Sequence, residues 1–409
     1  MQPQAQDPDP APAVLILFCE EGNGHASAAQ TLALELRERG AQVMTRDAMQ
    51  QGLGRVIPFF SRDTYRLQVR WLRWSYGVEY TLFTQVRPTR AIARRGLALF
   101  GMRPLRAVLA ATSPDLVIST HPAVTNVLGR LCARGELTVP VVASITDFGV
   151  HPLWTHPAID MHLVMHEALV PMVEASVGPG RVRVVRPAVA EEFRDPPARE
   201  PARRWLGIPD GRPLVVVSGG GWGVGDMEQI AEAVLEIPEL EVLVLGGHNA
   251  PLRRRLESRH EGEARLRVLP FTNRMPEVLA AADALVDTTV GVTCLEAMAT
   301  GRPIVLYGVP PGHSRENART LSDLGLVRAP HSRRELIQTL LDTLADPQPV
   351  TAELPDGDPG LTTAGEAILD VWREAGRARA AADVDEQGRR RGGGGGRTLP
   401  RRLGPSRTL

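Results

Sequence analysis

Short apolar runs alternate with amphipathic stretches from residue 13 to residue 307, and that alternation leaves few folds open to the chain. Residues 14–19 form one such run, followed by the turn Glu20-Glu21-Gly22-Asn23-Gly24-His25 and then by Ala29, Leu32 and Leu36 at helical spacing. Residues 41–45, 115–120, 139–145, 161–165 and 181–185 read as further strands, with helices over 123–134 and 168–176. A second series places strands at 214–218, 241–246, 265–269, 284–287 and 303–307, separated by helices that include 227–235, 275–282 and 294–300. Strands alternating with helices give a mostly parallel sheet covered on both faces. The α/β architecture predicted is therefore two doubly wound, Rossmann-like domains facing each other across a cleft. The first spans 13–189 after a disordered leader at 1–12, and it carries a basic aromatic insertion at 50–110. Residues 190–204, with three prolines and no apolar period, read as a linker to a second domain at 205–382. Residues 383–409, with five consecutive glycines and unopposed arginines, read as a disordered basic tail.

Composition removes several chemistries. All 47 basic residues are arginine, so no Schiff-base lysine and no lysine of a phosphate-binding P-loop is available. Cys19, Cys132 and Cys294 are too few and too scattered for a disulfide framework or a Cys-x-x-Cys metal site, which points to a reducing compartment. The first twelve residues lack the pattern of a signal peptide, and no run of ~18 apolar residues occurs. A cytoplasmic protein with at most peripheral membrane contact is expected. The zero net charge hides an asymmetry: residues 55–106 hold eleven arginines against Asp63 and Glu79.

In open α/β sheets ligands sit beyond the carboxyl ends of strands, so the loops there are the candidate sites. In the first, Gly22 and Gly24 match two glycines of a dinucleotide fingerprint, but Ser27 stands at the third and two acids precede the turn. His25 opens the helix, where the dipole favours a neutral imidazole suited to a general base; a simple helix cap is the alternative. The loop Ser218-Gly219-Gly220-Gly221-Trp222-Gly223-Val224-Gly225 lets backbone N–H groups approach an anion, or is a flexible turn. Thr293 and Glu296 fit a capping box; alternatively Gly291, Thr293 and the helix start hold a phosphate while Glu296 takes a ribose. Asp147 orients a base or acceptor, or makes an Asx-turn. His151 is a reserve candidate for the base, or shapes its own loop. No Asp-x-Asp sequence lies in a strand-end loop, so no metal site is predicted.

The order GNGHASA, THPAV, TDFGVHPLW, SGGG, LPFTNRMPEVLAAAD, GVTCLEAMATGRPIVLY and PGHSREN resembles the monogalactosyldiacylglycerol synthases and processive diacylglycerol glucosyltransferases. More distantly it is similar to the peptidoglycan transferase that adds N-acetylglucosamine to lipid I. The resemblance covers roughly residues 13–345. It implies a GT-B fold, a UDP-sugar donor in the second domain, a lipid acceptor in the first, inversion at the anomeric carbon, and no metal or cofactor. It also implies roles. His25 becomes the base; backbone groups at Phe271, in the segment ending at Met275, read the uracil; Glu296 holds the ribose; the segment containing His313, Glu316 and Asn317 lies near the hexose. The sequence departs from the family pattern at Asn23, Val290 and Val292, which replace glycines, and at His313-Ser314, which replaces a Gln-Glu pair.

The expected function is transfer of a hexose from a UDP-sugar to a membrane lipid hydroxyl, diacylglycerol being the favoured acceptor. N–H groups of Gly219, Gly220 and Gly221 would meet charge developing on the β-phosphate. A UDP-N-acetylglucosamine 2-epimerase, a non-catalytic nucleotide-sugar or lipid-binding protein, and a nicotinamide-dependent dehydrogenase are the alternatives. No nucleic-acid partner is expected. Leu67, Trp71, Trp74 and Val78 share one helical face, flanked by Arg66, Arg70 and Arg73. Such a helix can lie on an anionic membrane surface, here the inner face of the plasma membrane, or can pack onto the core.

Overall fold

The computed structural model describes residues 11–19, 23–48, 50–51, 73–346 and 361–392. In the first domain six parallel strands, β1 (Ala13–Phe18), β2 (Gln42–Asp47), β3 (Leu116–Ser119), β4 (Val141–Ser144), β5 (Met161–Val164) and β6 (Val182–Val184), lie in the order β2-β1-β3-β4-β5-β6. Its helices are α1 (Asn23–Glu38), α2 (Arg73–Thr84), α3 (Arg87–Thr112), α4 (Pro122–Ala133) and α5 (Val170–Val177). The central strands β1, β3 and β4 are almost wholly apolar because both faces are covered: Leu15 and Leu17 pack with Val117, Val127 and Leu128, while Val14 and Ile16 pack with Leu32, Leu36 and Ile118.

The second domain orders β7 (Leu214–Ser218), β8 (Glu241–Gly247), β9 (Leu266–Pro270), β10 (Ala284–Asp287) and β11 (Ile304–Leu306) as β11-β10-β7-β8-β9, again all parallel. Its helices are α6 (Arg199–Leu206), α7 (Met227–Leu235), α8 (Ala250–Arg259), α9 (Met275–Ala281), α10 (Val292–Ala299), α11 (His313–Asp323) and α12 (Arg333–Ala345), and the last described element is α13 (Ala364–Gly392). Strand order reverses between β1 and β3 in one sheet and between β7 and β10 in the other. Such switch points open crevices at strand carboxyl ends. Here they face each other: a Cβ built on Gly24, in the first turn of α1, would lie 3.9 Å from the Val292 backbone nitrogen at the start of α10.

The structure redraws parts of the sequence reading. The segment read as linker contains the start of α6, whose Ala202, Arg203 and Leu206 are buried, so residues 199–204 belong to the second domain. Residues 365–382, assigned to the second domain, pack on the first: Ala367, Ile368 and Val371 join Val14 and Leu32, and the Glu35 carboxylate accepts from the Gly365 N–H at 2.9 Å. The helix also runs ten residues past the expected start of the disordered tail, to Gly392. Within the insertion, Leu97, Met102, Leu105 and Val108 of α3 are core, so that part is no surface arm. The leader at 1–10 and the end of the tail at 393–409 lie outside the described residues.

Arg203 anchors α6. Only 4% exposed, its guanidinium donates to the carbonyls of Ala281 at 3.1 Å, Pro209 at 2.7 Å and Arg212, beside Asp283 at 3.5 Å. Arg203→Met leaves buried carbonyls without donors, at ~1–3 kcal/mol each. Denaturant unfolding is expected to show a loss of about 3 kcal/mol or more. A change below about 0.5 kcal/mol would show that the guanidinium is not a structural anchor.

Candidate active site

A cavity of about 1180 Å³ opens where the two switch points meet. On the first domain's side it is walled by histidines placed by strand-end turns. His121 follows β3 and His151 follows β4, each directly before a proline at the first position of a helical turn, where a missing N–H does no harm. Their Nδ1 atoms accept from the N–H groups of Ala123 at 3.2 Å and Leu153 at 3.3 Å, which puts the ring proton on Nε2 of each neutral imidazole. His25 is the third residue of α1. Its Nδ1 lies 3.3 Å from Thr146 Oγ1, and its ring stands edge-on to His121 with centroids 4.9 Å apart.

Asp147 lies at the centre of this wall, in the turn after β4. Its Oδ2 accepts from the Trp154 indole at 2.8 Å and its Oδ1 from the Asn317 amide of the opposite domain at 3.1 Å. Burial alone would raise the carboxyl pKa, but the imidazoles of His313, His25 and His151, with the Trp154 hydrogen bond, outweigh it and hold the pKa below the usual range. Burial pushes His151 down to about 4 against the pull of Asp147, so His151 is neutral at physiological pH. The Asx-turn alternative for Asp147 is replaced by these side-chain bonds.

The second domain supplies backbone. Gly219, Gly220 and Gly221 follow β7; Gly220 has φ +63°, and a Cβ on Gly247 would fall 2.3 Å from the Gly221 carbonyl oxygen, so this crossing admits only glycine. The loop after β10 is shaped by buried Asp287, whose Oδ1 accepts from Thr289 N at 2.8 Å and Val290 N at 2.6 Å. This pins Val290 at φ +55°, a strained conformation for a β-branched residue, where the family pattern has glycine. Gly291 is the N-cap of α10 with no side-chain cap bond, so Thr293 and Glu296 do not form the capping box. Glu296 instead lines the cavity as an 8%-exposed carboxyl, pushed to about 7 by burial and by Asp287.

An aromatic ladder closes the far end. The His248 ring lies between Trp222, with centroids 4.8 Å apart, and Phe271, stacked at 4.4 Å and 13°. Of the Phe271 backbone groups expected to read a uracil, the N–H is engaged by the Gly247 carbonyl at 3.1 Å, while its ring is 40% exposed on the cavity wall.

Two family models match in the order of the domains: residues 25–185 that described as monogalactosyldiacylglycerol (MGDG) synthase, and residues 215–346 that described as glycosyl transferases group 1. Over 331 residues the chain is 24% identical to the processive diacylglycerol beta-glucosyltransferase of Bacillus subtilis, covering 80% of this chain and 85% of that one. Among solved structures, the glycosyltransferase SnogD from Streptomyces nogalater superposes with TM-score 0.56 at 16% identity over 89% of this chain and all of that one. MurG of Acinetobacter baumannii does so with TM-score 0.54 at 19% identity over 88% and 99%. The chain is a glycosyltransferase of the GT-B type.

In this glycosyltransferase, His25, Asp147, Gly219, Gly220, Gly221, Phe271, Met275, Gly291, Thr293, Glu296 and His313 all lie on the cavity wall, whereas Glu316 and Asn317 stand behind it and bond to the first domain. Trp71, Arg66 and Arg70 fall outside the described residues; Arg73 and Trp74 begin α2, their side chains outside the description. The sequence reading missed His121, Trp222 and His248. The first carried a signal, a histidine before a proline at a strand end, and His248 closes the strand-end sequence Gly246-Gly247-His248.

Glu296 links the site to stability. Its folded pKa of about 7 exceeds the model-peptide 4.5, so between those values the folded state holds the extra proton. Stability contributed by this group therefore falls as pH rises from 4.5 to about 7 and stays low above it. Glu296→Gln is expected to match wild type near pH 4.5 and to unfold at higher denaturant at pH 8, by about 3 kcal/mol at most. Equal stability of the two proteins at pH 8 would contradict the buried, unpaired carboxyl.

Proposed function

We propose that the cleft transfers a hexose from a UDP-sugar to the hydroxyl of a membrane lipid, with diacylglycerol as the favoured acceptor and inversion at the anomeric carbon. The observation that carries this reading is the meeting of the two switch points: the starts of α1 and α10 converge beside the Gly219–Gly221 loop, with His25 on the opposite wall. The N-terminus of α10 and the glycine-loop N–H groups, both from the second domain, favour a diphosphate and its developing charge. The exposed Phe271 ring, backed by His248, offers a stacking surface to a uracil, and Glu296 two acceptors to a ribose. With Nδ1–H donated to Thr146 Oγ1, His25 Nε2 keeps its lone pair and takes the acceptor proton as the hydroxyl attacks. Asp147 stabilises the imidazolium that forms. The relatives named as diacylglycerol glucosyltransferases support the lipid acceptor, and UDP-sugar use follows the same resemblance.

The test is a panel of labelled UDP-sugars with diacylglycerol-containing liposomes, run with and without EDTA. Label entering lipid at equal rates in both supports the reading. Epimerised sugar, label bound without turnover, or loss of transfer on chelation with recovery on adding magnesium would each overturn a stated part of it.

Membrane attachment follows from the same reading. Among the described residues no helix is long and apolar enough to cross a membrane. On α3, Ile92 (66% exposed) and Leu99 (74%) share a face with Arg95 and Arg103 at intervals of three and four, next to exposed Phe100. Such a face suits a bilayer interface, with each arginine adding ~1 kcal/mol on anionic lipid. Co-sedimentation with anionic vesicles is expected, weakening as salt rises and weakening further in Ile92→Glu/Leu99→Glu. Wild-type protein left in the supernatant at low salt would contradict the attachment.

A further inference from the structure

The two residues that stand behind the cavity wall have a function of their own. Glu316, in the first turn of α11, turns its carboxylate to the other domain: the Tyr80 hydroxyl of α2 donates to Oε2, and Gln85 Nε2 donates to Oε1 at 2.6 Å. Asn317 is held from the same side, its Oδ1 accepting from Gly149 N at 2.5 Å and its Nδ2 donating to Asp147 Oδ1 at 3.1 Å and Val290 O at 3.3 Å. The backbones are fitted for this approach. A Cβ on Gly77, one turn before Tyr80, would come 2.8 Å from Pro311 Cβ, and one on Gly149 would come 2.8 Å from Glu316 Cβ. Every one of these contacts except that to Val290 joins one domain to the other and exists only with the cleft shut.

We infer that Tyr80 and Gln85 are positioning residues that clasp Glu316, shut the cleft and so set where His313 and Ser314 stand against the donor sugar. This deepens the transfer reading and rests on it. His313 and Ser314 share the first turn of α11 with Glu316 and do line the cavity, at the place where the family pattern has its Gln-Glu pair. The Tyr80 ring stands 5.6 Å from His151 and 6.5 Å from His313, so the clasp sits against the reacting centre. The same helix exposes Val78 (50%) and Leu82 (41%) outward, so one rigid element joins the outer surface of the insertion to the donor side of the cleft. Hydrogen bonds to a charged acceptor are about twice as strong as neutral ones, which lets two of them hold a domain closure.

The test uses the full chain and the variants Tyr80→Phe, Glu316→Ala, the double variant, and Gln85→Ala, whose side chain is exposed and whose loss leaves folding intact. Hydrogen exchange of the segment 146–151, which contains the Gly149 amide, needs no substrate. It is expected to accelerate about tenfold in Tyr80→Phe and in Glu316→Ala, with no further gain in the double variant, and to accelerate in Gln85→Ala. With substrates, kcat is expected to fall about tenfold while the Kd for UDP stays within twofold, since the second domain alone supplies the phosphate-binding backbone. Unchanged exchange in Tyr80→Phe and Gln85→Ala, or effects that multiply in the double variant, would overturn the clasp. Altered exchange in a protein that transfers no sugar would sustain the clasp and overturn the transfer reading instead.

Discussion

The cleft depends on one buried carboxylate. Asp147 lies at the boundary of two domains, and a charge there is tolerated only if it is paired. Its partners come from both sides, Trp154 from its own domain and Asn317 from the other. Opening the cleft removes the Asn317 bond and exposes the carboxylate to water. Closure and the electrostatic setting of His25 are thereby one event, and water is excluded at the moment the charged group is in place.

The opposite wall is arranged with the reverse sign. Backbone N–H groups at the Gly219–Gly221 loop and the α10 start present partial positive charge, while Asp287 stands behind that loop as its scaffold rather than as a ligand. Val290 shows that the chain reaches a left-handed loop conformation without a glycine. Asp287 bonds its N–H and Asn317 its carbonyl, so the neighbours impose φ +55° on a residue that resists it. The loop after β10 is in this sense held by the same asparagine that bonds Asp147 of the first domain.

Much of the fold was legible because parallel strands buried on both faces read as continuous apolar runs and their helices as amphipathic ones: strands Leu214–Ser218 and Ala284–Asp287 and helix Met227–Leu235 appear with the expected bounds. What escaped was decided by tertiary contact. Helix α3 continues through Pro104, and its apolar stripe is split between core and surface, so its sequence shows arginines more plainly than a core face. Helix α13 returns to the first domain, a pairing that no local pattern encodes. In the site, residues at strand ends were legible because chemistry concentrates there; Tyr80 and Gln85 were not, because their role lies in reaching a residue more than two hundred positions away.

The account stands on His25 acting as the base in a cleft whose donor side works without it. The most direct measurement compares His25→Ala with wild type in two quantities, the rate of hexose transfer to lipid and the Kd for UDP. The account predicts a rate lower by ~10²–10⁴-fold with a Kd within about twofold, the pattern of a lost general base. Transfer by the variant at the wild-type rate would contradict it.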